Sequence, residues 1–453
     1  MNQSGTAPLT LAMLEDVPAM EARLAARGIS PSAAAEKAFL LGRTARALAV
    51  SGIDAGAAVQ AFFVPGRIEV LGKHTDYAGG RSLLAASERG FLFAASPRED
   101  GRITMTDAAS GERVEFSCEN TPRSGHWSLY PMTVARRIAR DFPPPHPGLD
   151  MAFASDLPSA AGMSSSTALI TGTFLAISSR EHLTGSPTYQ ENIDGKEALA
   201  TYLGAIENGS SFAAFQGDQG VGTAGGSEDS TAMLCCEAES ILQFSFLPTR
   251  LERTLPMPEG TVFVMASSGV AAEKTGTAMD LYNLASRLAA AAADALGSSD
   301  LATALAGEGG VPDRLREVLQ RSRTPEFPPA ALLDRFDHFH GESEHIIPAA
   351  ADALAAGDLA RFGTLAADSA RIAETLLGNQ VPETLHLARA ATRLGALAAC
   401  PFGAGFGGSV WALVMEADAQ PFVSEWSADY RKAFPGRTPV FTTSGAGPAA
   451  LEI

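Results

Sequence analysis

The sequence predicts an α+β fold in two domains, and three observations carry that prediction. The chain has 453 residues, two to three times the length of one domain. Short strand-like runs and helical runs follow one another without regular alternation, and one long alanine-dense helical block occupies 280–395. The division is expected near 245–255, giving an N-terminal domain over 1–250 and a C-terminal domain over 251–453.

The elements read as follows in chain order. Residues 1–58 are helical, rich in alanine and interrupted at Gly28 and Gly52, with no evident chemistry. From 60 to about 118, runs such as AFFVPGRIEVLG and GFLFAA read as strands ending in polar turns. Residues 126–142 read as a helix, followed by a Pro-rich turn and the strand LDMAFASDL. A loop of small residues then enters an amphipathic helix over roughly 164–180, with Ile170, Phe174 and Ile177 on one face. The glycine-rich stretch 209–230 reads as one long loop, of the kind that carries function or moves. Strands are expected at 240–246 and 260–267. A glycine loop at 403–408 runs into the strand SVWALVM, and PVFTT supplies a last strand.

Composition limits the partners. Hydrophobic residues make up 46% and charged residues 19%, enough for a large core. Acids outnumber bases 51 to 34, a formal charge of −17, which argues against nucleic acid or an anionic membrane as the main partner. No apolar window reaches the ~20 residues of a membrane span. The N-terminal residues lack the basic and apolar regions of a signal peptide, so a soluble cytoplasmic protein is expected. Cys118, Cys235, Cys236 and Cys400 form no CxxC pair and no metal-ligand spacing, and read as small buried residues. Oligomeric state is not legible.

Three segments concentrate chemistry. In PGRIEVLGKHTDYAGG (65–80), Arg67, Lys73, His74, Asp76 and Tyr77 crowd a strand-to-turn segment flanked by glycines. Carboxylate acceptors beside imidazole and ammonium donors suit a small polyhydroxylated ligand; a solvated hairpin tip with a salt bridge is the plainer alternative. In LPSAAGMSSSTAL (157–169) a strand enters a small-residue loop and serines open a helix. Free amides at a helix start, with the helix dipole behind them, make an anion site, and small side chains let phosphate oxygens approach. An ordinary serine N-cap explains one serine but not the whole arrangement. In FGAGFGGSVWALV (402–414) the glycines superficially match GxGxxG, but they run from helix to strand, whereas a dinucleotide loop runs from strand to helix. Tight backbone packing at a site wall fits better. No Walker A sequence occurs.

In this order the three segments resemble the three-motif pattern of the GHMP small-molecule kinases, and most of all their galactokinase-type members. PGRIEVLGKHTDYAGG is similar to the sugar-binding signature of those enzymes. HWSLYP, DLYNLASR and HFHGESEHIIPAAADALAAGDLARFGTL agree as well, so the resemblance runs from about residue 60 to the end. It implies a two-domain GHMP kinase fold: a mixed N-terminal domain, and a helix-rich C-terminal domain with an antiparallel sheet. ATP and a sugar would share the cleft, with Mg²⁺, and the γ-phosphoryl group would pass to a sugar hydroxyl, usually the anomeric one. Carried over by position, Asp229 is the catalytic carboxylate and Arg67 its partner. Pro158, Ala160, Ala161, Gly162, Met163, Ser164, Ser165, Ser166 and Thr167 cradle the phosphates. Ser165 and Glu207 fall at magnesium positions. His74, Asp76, Gly226 and Tyr282 fall at sugar positions, as does Lys73. Gly403, Gly405, Gly407 and Gly408 form the structural glycine loop.

The sequence also departs from that pattern. Lys73 stands where the family has a glutamate for the sugar's C6 hydroxyl. It suits a uronic acid or another anionic group, or else turns away to pair with Asp76 or Glu69. The loop between Glu207 and Asp229 is longer than usual, leaving Asp218 as a competing magnesium ligand. Asp229 lies in Ser-Glu-Asp-Ser, which makes Glu228 an alternative actor. Ala160 replaces a glycine and Ser409 a cysteine. A non-catalytic sugar or ATP sensor is the alternative from another class.

Overall fold

The computed structural model describes residues 8–118, 126–143, 148–158, 162–270, 277–307 and 310–453. Two helices, α1 (Val17–Ala25) and α2 (Pro31–Val50), precede the first sheet. That sheet is built on β1 (Gln60–Leu71) and the long β2 (Arg81–Pro97), paired antiparallel. β3 (Ile103–Asp107) and β4 (Arg113–Phe116) follow, with β5 (Leu149–Ser155) inserted between β2 and β3. The β3–β5 pairing is parallel. β6 (Ser240–Ser245) pairs with the start of β2, and β7 (Arg250–Pro256) pairs with β6. A boundary at 250/251 would therefore part β7 from its hairpin partner, and the chain changes sheet in the loop at 257–260.

Both faces of this sheet are covered, which explains why AFFV shows no polar alternation. Phe62, Val64, Phe91, Phe93, Met151 and Phe153 face α3 (Leu129–Asp141) and α4 (Ser165–Glu181). Ala61, Phe63, Leu92, Ala94, Ala152 and Ala154 face the other way, onto Leu14, Met20, Leu24, Leu41 and Leu48. The N-terminal helices are thus a lid over the second face of the sheet. α4 packs close because Gly172 has no side chain: a Cβ there would lie 2.1 Å from the Phe93 ring. α5 (Pro187–Asn192), α6 (Gly195–Asn208) and α7 (Glu228–Cys235) complete this half. The expected loop at 209–230 therefore ends inside a helix, whose first turn carries Glu228 and Asp229.

The second sheet has four antiparallel strands in the order β11-β8-β10-β9: β8 (Thr261–Ser267), β9 (Ala398–Phe402), β10 (Ser409–Met415) and β11 (Val440–Ser444). Between β8 and β9 run α8 (Thr277–Ala295), α9 (Leu301–Ala306), α10 (Pro312–Arg321), α11 (Pro329–Phe339), α12 (Ile347–Ala355), α13 (Leu359–Ile372) and α14 (Pro382–Arg393). α15 (Ala419–Ala433) follows β10. The last residues return to the first sheet as β12 (Ala446–Gly447) on β2 and β13 (Leu451–Glu452) on β1. Across the junction, the buried Trp411 indole on β10 donates to the Val70 carbonyl on β1 at 3.1 Å. The architecture is the expected α+β pattern, a mixed-sheet N-terminal part and a helix-rich C-terminal part with an antiparallel sheet. No helix among the described residues is long and apolar enough to cross a membrane.

Candidate active site

Three chain segments meet at the end of β1. Arg67 sits inside the strand, and its amide donates to the Met163 carbonyl at 3.3 Å, tying β1 to the small-residue loop before α4. Its Nε donates to Asp229 Oδ1 at 2.7 Å, from the first turn of α7. The guanidinium side chain is only 6% exposed, while Asp229 keeps 20%. Burial opposes a charge on Arg67, but Asp229, Glu69 and Glu228 outweigh it and raise its pKa. It is therefore a permanent cation.

Beyond Leu71 the strand breaks into a tight turn. Gly72 has φ +125°, and a Cβ there would meet Ser82 at 2.6 Å. His74 adopts φ +56°, unusual for a residue with a side chain. This turn sends consecutive side chains to opposite sides. His74 points to the cavity, with Nδ1 2.7 Å from the Tyr77 hydroxyl and Nε2 3.0 Å from the Ala404 carbonyl. A carbonyl can only accept, so Nε2 carries the hydrogen and Nδ1 accepts from Tyr77. Burial above all pushes the imidazole pKa down to about 4, so it is neutral. Asp76 accepts from the Glu228 amide at 3.1 Å. Gly226 is needed against it, since a Cβ there would lie 2.4 Å from Asp76 Oδ2.

Lys73 goes the other way. It is completely buried and does not line the cavity; its ammonium donates to Ser369 Oγ and Cys400 Sγ, both at 3.0 Å. Ser369 in turn donates to Glu342 at 2.8 Å. Burial lowers the pKa of this ammonium, but Cys400, Glu342 and Glu69 outweigh it and raise it. The reading of Lys73 as a sugar ligand is corrected by the turn geometry: it is a cation inside the C-terminal half, not on the cavity wall. It pairs with neither Asp76 nor Glu69 by direct contact.

The resulting cavity is lined by Arg67, Glu69, His74, Asp76, Tyr77, Glu207, Asn208, Thr223, Gly225, Gly226, Glu228, Asp229, Ser230, Tyr282, Gly403 and Ala404. Of the sequence candidates it gathers Arg67, His74, Asp76, Tyr77, Glu207, Gly226, Glu228, Asp229, Tyr282 and Gly403. The Tyr282 ring is tilted against His74, with ring centroids 5.2 Å apart and planes inclined by 48°. Asn208, Thr223, Gly225, Ser230 and Ala404 were not singled out from sequence. Asn208 and Gly225 adjoin candidates that were, and Asn208 binds the Gly225 carbonyl at 2.7 Å, which fixes the glycine pair.

Arg67 also lines a second, smaller cavity with Gly162, Ser164, Phe402, Ala404, Gly405, Gly407 and Gly408. Here the small-residue loop faces the C-terminal glycine loop. Gly403, Gly405, Gly407 and Gly408 all have positive φ, and a Cβ at Gly405 would lie 2.3 Å from the Asn379 carbonyl. Ser164 precedes α4 in the left-handed region (φ +63°) and its side chain caps nothing. The ordinary N-cap reading of this serine therefore fails, and the helix start keeps its anion-binding character. Pro158, Gly162, Met163, Ser165, Ser166 and Thr167 flank the same point; Ala160 and Ala161 lie outside the described residues.

Glu207, at the end of α6, accepts from Thr167 Oγ1 at 2.7 Å and from Ser166 Oγ at 3.3 Å. Ser165, half-buried, holds the first helical position beside them. Asp218 does not line the cavity; its carboxylate accepts from Arg136 Nε at 2.8 Å and from the Gln219 amide at 2.6 Å. No group of three or more His, Cys, Asp or Glu side chains among the described residues could hold a metal alone. One carboxylate with serine hydroxyls at an anion-binding helix start is nevertheless a hard-oxygen donor set that fits Mg²⁺ arriving with phosphates.

The comparisons agree with this geometry. Residues 54–97 match the galactokinase galactose-binding signature, 130–219 the GHMP kinase N-terminal domain and 350–432 the GHMP kinase C-terminal region. A galactokinase of Chloroflexus aggregans is 30% identical over 396 residues, covering 84% of this chain and 91% of that protein. One from Enterococcus faecalis is 28% identical over 379 residues, covering 82% and 89%. Lactococcus lactis galactokinase complexed with galactose shares the fold at a TM-score of 0.73 and 21% identity, over 87% of this chain and 95% of that one. A mevalonate kinase shares it at 0.55 and 13%, over 86% and 100%. The chain belongs to the GHMP kinase family, within which it is a galactokinase-like phosphotransferase.

Proposed function

We propose that this protein transfers the γ-phosphoryl group of ATP to the anomeric hydroxyl of galactose or a closely similar neutral sugar, with Mg²⁺, in a cleft between two domains. The supporting observation is the Asp229–Arg67 pair at 2.7 Å, with Arg67 lining both the polar cavity and the glycine-lined one. The sugar would lie in the first, held by His74, Asp76 and Tyr282, and the phosphates in the second, at the start of α4. Asp229 would take the hydroxyl proton as the new O–P bond forms and the bond from the γ-phosphorus to the bridging oxygen of ADP breaks. Arg67 would stabilise charge on the phosphoryl oxygens, in a site where most of the rate enhancement comes from positioning and fixed charge. Glu207, with Ser165 or Ser166, would hold Mg²⁺, which when bound neutralises phosphate charge. Lys73 lies away from the cavity, which disfavours the uronic-acid reading. The assembled carboxylate, arginine and serine loop disfavour a sensor.

The test is ADP release over a panel of monosaccharides, with ³¹P NMR of the product. Galactose-dependent release with an anomeric phosphate supports the proposal. No release with any sugar overturns it, and greater turnover of galacturonate than of galactose overturns the neutral-sugar specificity.

A further inference from the structure

The rings of His74, Tyr77 and Tyr282 form one wall of the polar cavity, and they come from two distant segments of the chain. A single buried side chain outside the cavity holds both segments. It is Arg335 on α11. Leu332, Phe336 and Phe339 recur at i, i+4 and i+7 and bury that helix with Ala289 and Ala292 of α8. Arg335, among them, is 1% exposed and lines neither cavity. One terminal nitrogen donates to the His74 carbonyl, and Nε donates to the Ala285 carbonyl at 3.3 Å. Ala285 lies three residues after Tyr282, nearly one turn along α8. The guanidinium carbon stands 5.7 Å from the centre of the Tyr77 ring. The other terminal nitrogen donates to His338 Nδ1 at 3.3 Å.

A guanidinium is planar, with donors in fixed directions, so it sets the angle between the groups it binds. His74 stands at φ +56°, a conformation that persists only where its surroundings hold it, and Arg335 bonds the carbonyl of that residue. Tyr77, with the guanidinium over its ring, donates to His74 Nδ1 at 2.7 Å. Tyr282, one turn from the Ala285 carbonyl, has its ring 5.2 Å from that of His74. Among the described residues Arg335 has no carboxylate partner; its neighbours are two carbonyls, an imidazole nitrogen and an aromatic face. A salt bridge would satisfy this buried cation by itself, whereas these partners satisfy it only while the wall is assembled. We propose that Arg335 is a positioning residue for the sugar: by gripping the His74 carbonyl, the Tyr77 ring and the α8 turn behind Tyr282, it sets the wall against which the sugar is placed. The role in sugar binding rests on the kinase reading above; the grip on the wall does not.

Two variants test this. Arg335→Lys keeps the charge but not the fork, so it cannot bond the His74 and Ala285 carbonyls together. With a sugar that supports ADP release, its sugar KM is expected to rise about 10-fold. Arg335→Gln loses the charge as well, and its sugar KM should rise about 100-fold. In both, kcat and the KM for ATP should change little. A lower melting temperature with unchanged sugar KM overturns the proposal, because Arg335 then serves folding alone. A change in kcat or in the KM for ATP as large as that in sugar KM overturns it too. If Arg335→Gln does not fold, Arg335→Lys decides; if neither folds, Arg335 is a residue of folding and the proposal fails. A crystal structure of Arg335→Lys needs no sugar, and should show the His74 and Tyr282 rings moved apart. An unchanged wall in that structure overturns the grip. If no sugar gives ADP release, the kinase reading fails and that structure alone decides whether Arg335 holds the wall.

Discussion

Two buried polar clusters start from neighbouring residues of one turn, and they do opposite things. On one side, Arg67, His74, Asp76 and Asp229 open into a cavity and leave Asp229 one-fifth exposed. On the other, Lys73, Ser369, Cys400 and Glu342 are sealed among α13, β9 and the π-helical turn His340–Ile346. Both contain a carboxylate and a cation. What separates them is backbone direction at Gly72 and His74, not residue type. A motif rich in charge therefore mixes groups that do chemistry with groups that fasten one half of the protein to the other. The Gly72 amide donating to Glu342 at 3.0 Å is part of that fastening.

The two clusters should fail in different measurements. Asp229→Asn should lower kcat by about 10²–10⁴-fold, the usual worth of a positioned general base, with little change in melting temperature. Undiminished ADP release would take Asp229 out of the reaction and turn attention to Glu228. Lys73→Met should do the reverse. It leaves the buried Glu342 carboxylate without its cation, a loss of about 3–5 kcal/mol. For a chain of 453 residues that corresponds to a fall of about 3–5 °C in melting temperature, read by calorimetry. Sugar KM in the protein that remains folded should stay as in the wild type. A raised KM with unchanged melting would return Lys73 to the cavity wall.

The direction of Lys73 was not legible in sequence because it depends on positive φ at the two turn residues that flank it, Gly72 and His74, and on partners about 300 residues away. The same limit hid the role of residues 1–58: their helices cover the face of the sheet formed by Ala61, Phe63, Leu92 and Ala94, a fact of topology. The polar run Ser-Glu-Asp-Ser concealed a helix start, because nothing local distinguishes it from loop. Local, periodic signals fared better. The helix read over 164–180 is Ser165–Glu181, and the strands read at 240–246 and 260–267 are Ser240–Ser245 and Thr261–Ser267. Of the site, the motif order made Arg67, His74, Asp76, Asp229 and Glu207 visible, whereas Asn208, Thr223 and Ala404 join the cavity only through contacts across the fold.

pH sharpens the contrast on the cavity side. His74 is held neutral in the folded protein, with its pKa pushed from the usual 6.5 down to about 4, while the unfolded chain binds a proton at the usual value. Stability from this residue is therefore complete above about pH 6.5 and is lost as pH falls toward 4. Melting temperature should decline through that window, and less so in His74→Gln. An equal acid decline in that variant would show that other groups dominate.

The smallest effect belongs to Tyr77, and it discriminates best between support and catalysis. Its hydroxyl donates to His74 Nδ1 at 2.7 Å, while the other ring nitrogen keeps its bond to the Ala404 carbonyl. Tyr77→Phe removes one of two restraints on the ring and leaves the aromatic packing in place. A single neutral hydrogen bond is worth about 0.5–1.5 kcal/mol, so sugar KM should rise by about 2–10-fold while kcat changes little. Without that donor Nδ1 is freer to accept a proton, so the acid loss of activity should begin at higher pH than in the wild type. A fall in kcat with KM and acid limb unchanged would mean that His74 serves the phosphoryl transfer itself and not the placement of the sugar.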